Sequence, residues 1–208
     1  MGTASPSEPV RRGQPALRDD RCDRDAQARE VLRLARSRPA RLGTGRLVCL
    51  DGPAGSGKST LGAALLARAP EATLVHTDDL LDGWDGLPGL PATLAALLAP
   101  LARGEHASYR RYDWHAGRFG EPVDLAPGPL LVIEGVGSGT RRLDHLRSVL
   151  VWVDAPAALR RERWLARDGA ASEPHRRRWV PVEERLFAAE QTRARADLVL
   201  DGSRRTGI

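Results

Sequence analysis

Gly52-Pro53-Ala54-Gly55-Ser56-Gly57-Lys58-Ser59-Thr60 satisfies the pattern G-x-x-x-x-G-K-[ST] in full. Its flanks suit it. Arg46 to Asp51 is a short apolar run that predicts a buried strand, and Ser59 to Ala69 predicts a helix. In that order the backbone N–H groups of the loop can converge on phosphate at a helix N-terminus, where the helix dipole also favours an anion. Charge usage makes the same point. Of 32 lysines and arginines, only Lys58 is a lysine. A planar guanidinium is too broad to curl over such a loop, whereas an ammonium on a slender stem fits. Lys58 is thus expected at the β/γ-phosphates of a nucleoside triphosphate, with the Ser59 hydroxyl on Mg²⁺. Thr60 reads either as an α-phosphate contact or as an ordinary helix N-terminal hydroxyl.

The same punctuation recurs along the chain. Ala72 to His76 predicts a second strand, ending at Thr77-Asp78-Asp79. Leu130 to Ile133 predicts a third, ending at Glu134-Gly135, and Val149 to Val153 a fourth, ending at Asp154. Ala196 to Asp201 closes the set. Helices are predicted at Leu90–Ala102, Ala157–Arg167 and Val182–Arg195. Near-continuous apolar strands alternating with helices predict a parallel sheet covered on both faces, an α/β three-layer sandwich of the P-loop NTPase kind. Residues 1–21, rich in Pro, Ser, Gly and charge, read as a disordered leader. A helix from Asp23 to Arg38 follows, with Ala26, Val31, Leu34 and Ala35 on one side, and Pro39 stops it. The division expected is an N-terminal extension at 1–40 and a P-loop domain at 41–208.

A chain of 208 residues can bury a sizeable core as one domain. No apolar run approaches the roughly 20 residues needed to span a bilayer, and the polar start lacks the apolar stretch of a secretory signal. Cys22 and Cys49 are too few for a disulfide framework, so a reducing cytoplasmic location is expected. A net charge of +5 would suit a nucleic-acid partner, but acids are interspersed with the arginines and aromatics are scarce. Those features argue against nucleic acid, and a basic balance serves a polyanion such as ATP equally well.

Neither an Asn-Lys-x-Asp guanine motif nor a Ser-Gly-Gly signature is present. Acids stand instead at strand ends: Asp78 and Asp79 after the second, Glu134 after the third. Ligands of open α/β sheets bind outside the carboxyl ends of strands, so these acids are expected to face the loop. One carboxylate there can orient and deprotonate an attacking hydroxyl, and another can hold Mg²⁺ through water; each reads equally as a solvated strand-end cap. Tyr109 to Arg118 packs aromatic, imidazole and guanidinium groups into a predicted loop. It reads as a base- or sugar-binding loop, or as a surface loop anchored by Trp114. Arg160, Arg163 and Arg167 share a helical face, either a lid that brings positive charge to a transferring phosphoryl group or a solvated surface.

In collinear order from Arg46 to Gly202, these residues resemble the uridine kinase family of P-loop kinases, above all its ATP-binding members of actinobacterial type. Asp78-Asp79-Leu80-Leu81 is similar to the family's Asp-Ser-Phe-Tyr, Tyr112-Asp113-Trp114 to its Tyr-Asp-Phe, and Glu134-Gly135 to its Glu-Gly strand end. Arg160, Arg163, Arg167 and Asp168 resemble its arginine-rich lid. The chain departs from the family at Leu81, where a tyrosine is usual, at His115, whose spacing differs, and at the lid, which runs into Gly169-Ala170-Ala171.

The resemblance implies ATP and Mg²⁺ as cofactors, Gly52 to Thr60 cradling the triphosphate, and Asp78 as the base. It implies Lys58, Arg163 and Arg167 at the transferring phosphoryl group and Ser59 with Glu134 at the metal. Asp79, Asp85, Tyr112, His115 and Arg118 would contact a small nucleoside-like acceptor, such as a pyrimidine nucleoside. Family enzymes are often oligomeric, which leaves a homo-oligomer open. Two further readings stand beside this one: a nucleoside-monophosphate kinase, and a nucleotide-binding regulatory module without kinase activity.

Overall fold

The computed structural model describes residues 20–203, with side chains from Asp23 onward; all but the end of the expected leader lies outside the described residues. In chain order the elements are α1 (Asp20–Ser37), β1 (Arg46–Asp51), α2 (Lys58–Arg68), β2 (Ala72–His76), α3 (Leu90–Ala102), β3 (Ala107–Asp113) and β4 (Arg118–Leu125). There follow β5 (Leu130–Glu134), β6 (Val149–Asp154), α4 (Ala157–Asp168), α5 (Glu173–Glu190), α6 (Thr192–Arg195) and β7 (Leu198–Asp201). Five strands form one parallel sheet in the order β2-β5-β1-β6-β7. The strand that feeds the glycine loop is therefore central, with β5 and β6 on either side, at the point where the strand order reverses.

Period-two alternation between two buried faces explains why the central strands β1, β5 and β6 are apolar along most of their length. On β1, Leu47 and Cys49 face one core layer while Val48 and Leu50 face the other. Leu131 and Ile133 on β5 join the first layer, beneath Leu94, Leu98 and Leu101 of α3. Leu130 and Val132 join the second, beneath Leu61 and Leu65 of α2. Helices on both faces make this a three-layer P-loop sandwich, as the apolar runs predict.

The N-terminal helix is built into that second layer. Its buried apolar residues are Ala28, Val31, Leu32 and Ala35, with Leu34 half-buried against the same cluster; only Ala26 of the expected face is exposed, and the stripe runs through Ala28 and Leu32 instead. Three other expectations are corrected. Tyr109 to Arg118 is not a loop but the two facing strands and turn of an antiparallel hairpin. Asp113 makes its turn by accepting the His115 and Ala116 N–H groups, both at 2.9 Å. The second long helix begins at Glu173, well before Val182: Pro174 falls in the first turn, where its missing N–H costs nothing. It also breaks at Gln191, whose φ of 50° is left-handed, before α6 begins.

Because Leu32 is 3 % exposed beneath the sheet, Leu32→Ala is expected to destabilise the fold by about 2–4 kcal/mol. A denaturant titration checks this. A change below about 0.5 kcal/mol would mean that α1 contributes nothing to the sandwich.

Candidate active site

The loop after β1 is shaped by close approaches that only glycine allows. A Cβ on Gly55, at φ 78°, would meet the Arg160 carbonyl oxygen at 2.6 Å, and Gly57 caps α2 at φ 98° with no side chain to occupy the helix end. The first-turn N–H groups of α2, an 11-residue helix, have no intrahelical acceptor and are open to an anion. Lys58 curls back over the loop, its Nζ donating to the Gly52 and Pro53 carbonyls at 2.7 and 2.9 Å. Arg163 braces the other side, donating to Gly55 O at 3.1 Å and Gly202 O at 2.8 Å.

Beneath the loop lies a residue that sequence reasoning missed. Asp51 is fully buried, and its carboxylate accepts the N–H groups of Gly52, Gly137 and Gly139 at 2.8, 2.9 and 2.8 Å. Burial pushes it up to about 6, against the pull of those N–H groups and Lys58. It ties the end of β1 to the glycine-rich turn after β5. That turn starts at Gly135, where a Cβ would collide with the Thr77 side chain, so the ends of β2 and β5 close together.

A cleft of about 810 Å³ opens above these strand ends. Lys58, Ser59, Thr60, Asp78, Asp79 and Glu134 all line it, with Arg163 and Arg167 from α4 and His115 from the hairpin turn. Asp78 is open to the cleft but ringed by protein, and desolvation followed by the charge of Glu134 raises its pKa. Glu134 is buried, which pushes its carboxyl up, but the His76 hydrogen bond at 2.5 Å, with Lys58 and Ser59, holds it below the usual range. The hydrogen bond to Glu134 in turn raises His76. Asp79 pairs with Arg111 at 2.9 Å. Arg167 lies over the Trp164 ring, 5.6 Å from its centroid, and chelates Asp168.

Three expected acceptor contacts do not reach this cleft. Asp85 lines a separate groove between α3 and the hairpin. Tyr112 packs on Trp114 and Phe119, 5.1 and 5.2 Å between ring centroids, and Arg118 pairs across the hairpin from Asp113. Gly52 and Pro53 sit below the cleft floor. The cleft is lined instead by an aromatic wall. Trp84 stacks on His175 at 4.8 Å and meets Trp114, Trp164 and Trp179 at 4.8, 5.8 and 6.2 Å. Trp114 also donates to the Asp78 carbonyl at 3.2 Å, which fixes the hairpin against the candidate base. A signal existed in the composition: five tryptophans against two tyrosines and two phenylalanines. Four of the five line this cleft.

Among the described residues no group of three or more His, Cys, Asp or Glu side chains could hold a metal ion. An Mg²⁺ here would take most ligands from phosphate and water, with Ser59 and Glu134 available beside them, which matches how Mg²⁺ is usually held at phosphates.

Solved structures share this three-layer fold. The chain superposes on a candidate uridine kinase from Bacillus stearothermophilus with a TM-score of 0.59 at 20% identity, covering 87% of this chain and 98% of that one. It superposes on a candidate fructose transport system kinase from Silicibacter sp. TM1040 with a TM-score of 0.58 at 23% identity, covering 85% and 98%. No protein-family model and no curated protein matches the sequence. Among the described residues no helix is long and apolar enough to cross a membrane.

The His76–Glu134 pair carries a signed pH dependence. A raised histidine contributes stability that is complete below its ordinary 6.5 and is lost as pH rises through the higher folded value. A lowered glutamate contributes above its ordinary 4.5 and loses that as pH falls through the lower folded value. The thermal midpoint of the wild type should therefore fall between about pH 6 and pH 9 by more than that of His76→Gln. Equal falls in both would show that the pair is not formed.

Proposed function

We propose that this protein is a small-molecule kinase that moves the γ-phosphoryl group of Mg·ATP to a hydroxyl of an unphosphorylated acceptor. The observation that carries the reading is the placement of Asp78. A carboxylate with a raised pKa faces the same cleft as Lys58, Ser59 and two lid arginines, with an aromatic wall beyond it. The loop amides and Lys58 would hold the triphosphate, and Arg163 and Arg167 would meet charge developing at the transferring group. Asp78 would take the proton of the acceptor hydroxyl as its oxygen bonds to the γ-phosphorus and the bond to the β-phosphate oxygen breaks, releasing ADP. Mg²⁺, when bound, would neutralise phosphate charge beside Ser59 and Glu134.

The lining favours an acceptor with a flat or apolar body, such as a pyrimidine nucleoside, over a monophosphate. The arginines of the cleft both stand on α4, and Arg111 of the hairpin is already paired with Asp79. An acceptor phosphate beside Asp78 would meet two carboxylates and the indole rings, with Arg167 over the Trp164 ring as the arginine in reach. A nucleotide-binding module without transfer would need no base; the position of Asp78 in the cleft supports the transfer reading. The two superposed structures support the fold on which this reading stands; the acceptor rests on the cleft.

Asp78→Asn should lower acceptor-dependent ADP formation by about 10²–10⁴-fold while changing Mg·ATP affinity less than about threefold. Paired turnover and calorimetry check this. Unchanged turnover in the variant would remove Asp78 from the role of base.

A further inference from the structure

Behind the cleft lies a carboxylate that phosphoryl transfer itself does not use. Glu183 of α5 is 1 % exposed. Its Oε2 accepts two N–H groups, from the Ala54 backbone at 3.0 Å and the Trp179 indole at 2.9 Å. Its Oε1 faces Arg160 Nη1 at 3.4 Å. Ala54 belongs to the phosphate loop, and Trp179 belongs to the aromatic wall, edge-on to Trp84. A single oxygen therefore joins the two halves of the site.

Two other early donors of the loop are held locally. The Gly52 N–H goes to Asp51 next to it, Pro53 has none, and the Ser56 N–H goes to the Pro53 carbonyl at 3.1 Å. Ala54, by contrast, is held from α5, far along the chain. A buried carboxylate oxygen shared by two donors is sensitive to both. If the Trp179 indole shifts, the charge on Glu183 loses compensation and its hold on Ala54 changes.

We propose that Glu183 is a positioning residue that couples the aromatic wall to the phosphate loop, so that occupation of the acceptor end alters the affinity for Mg·ATP. By linkage, nucleotide alters acceptor affinity by the same factor. The proposal rests on the nucleotide-binding reading above.

A double-mutant cycle on Mg·ATP affinity tests it without an acceptor in hand. Trp179→Phe keeps a ring in the wall but removes the N–H, and should weaken Mg·ATP binding roughly 3- to 10-fold, the worth of one hydrogen bond. In a Glu183→Met background, where no oxygen is left to accept either N–H group, the same change should alter affinity less than about twofold. A parallel cycle with His175→Ala, a half-buried partner that stacks on Trp84, keeps the test decisive if Trp179→Phe is unstable. It should shift affinity at least about twofold in the wild type and not in Glu183→Met. Additive effects, or none, in a wild type that binds Mg·ATP would overturn the coupling alone. A wild type that does not bind Mg·ATP would overturn the nucleotide-binding reading with it.

Discussion

The buried Asp51 carboxylate is the interaction on which the rest of the cleft depends. Three N–H groups converge on it, one from the start of the phosphate loop and two from the turn after β5. Burying a carboxylate is costly unless its oxygens are matched by donors of this kind. Once matched, it locks β1 and β5 at the same height, and Glu134 and Gly135 follow from that. Gly135 then admits Thr77 into close contact, which sets Asp78 beside Glu134 at the mouth of the loop. A chain of local constraints thus brings the candidate base, the candidate metal carboxylate and the lone lysine to one place.

Charges of both signs face one cleft: Lys58, Arg163 and Arg167 line it together with Asp78, Asp79 and the indole rings. Burial and Glu134 push the Asp78 pKa up, while Lys58, Arg167 and His76 pull it down. A carboxylate balanced in this way can take a proton as charge shifts, which a fully paired one cannot. The aromatic wall draws on the segment after β2, the hairpin, α4 and α5, so its shape depends on how those elements pack together.

The sandwich was legible because its central strands β1, β5 and β6 are buried on both faces and read as apolar runs bounded by turn residues. The glycine loop between β1 and α2 was legible because glycine and lysine at those spacings have few other uses. The hairpin was not, since β3 and β4 are mostly exposed and carry Arg110, Arg111, Glu121 and Pro122 where a buried strand would carry valine or leucine. The start of α5 was hidden by Pro174 and an arginine run, though a proline in a first turn is compatible with a helix. Asp78 and Glu134 could be found from strand ends. Trp84, Trp164, Trp179 and Glu183 could not be placed, because their role arises from contacts between elements distant in the chain. Asp85, Tyr112 and Arg118 were carried by resemblance, and the hairpin and the groove beside α3 take them elsewhere.

ADP formation from Mg·ATP across a panel of nucleosides, nucleoside monophosphates and sugars tests most directly whether a triphosphate and an unphosphorylated hydroxyl acceptor meet in this cleft. An unphosphorylated acceptor with a flat ring should accelerate ADP release, and its monophosphate should not. Tight Mg·ATP binding with no acceptor accelerating release, or acceleration by monophosphates alone, would contradict this.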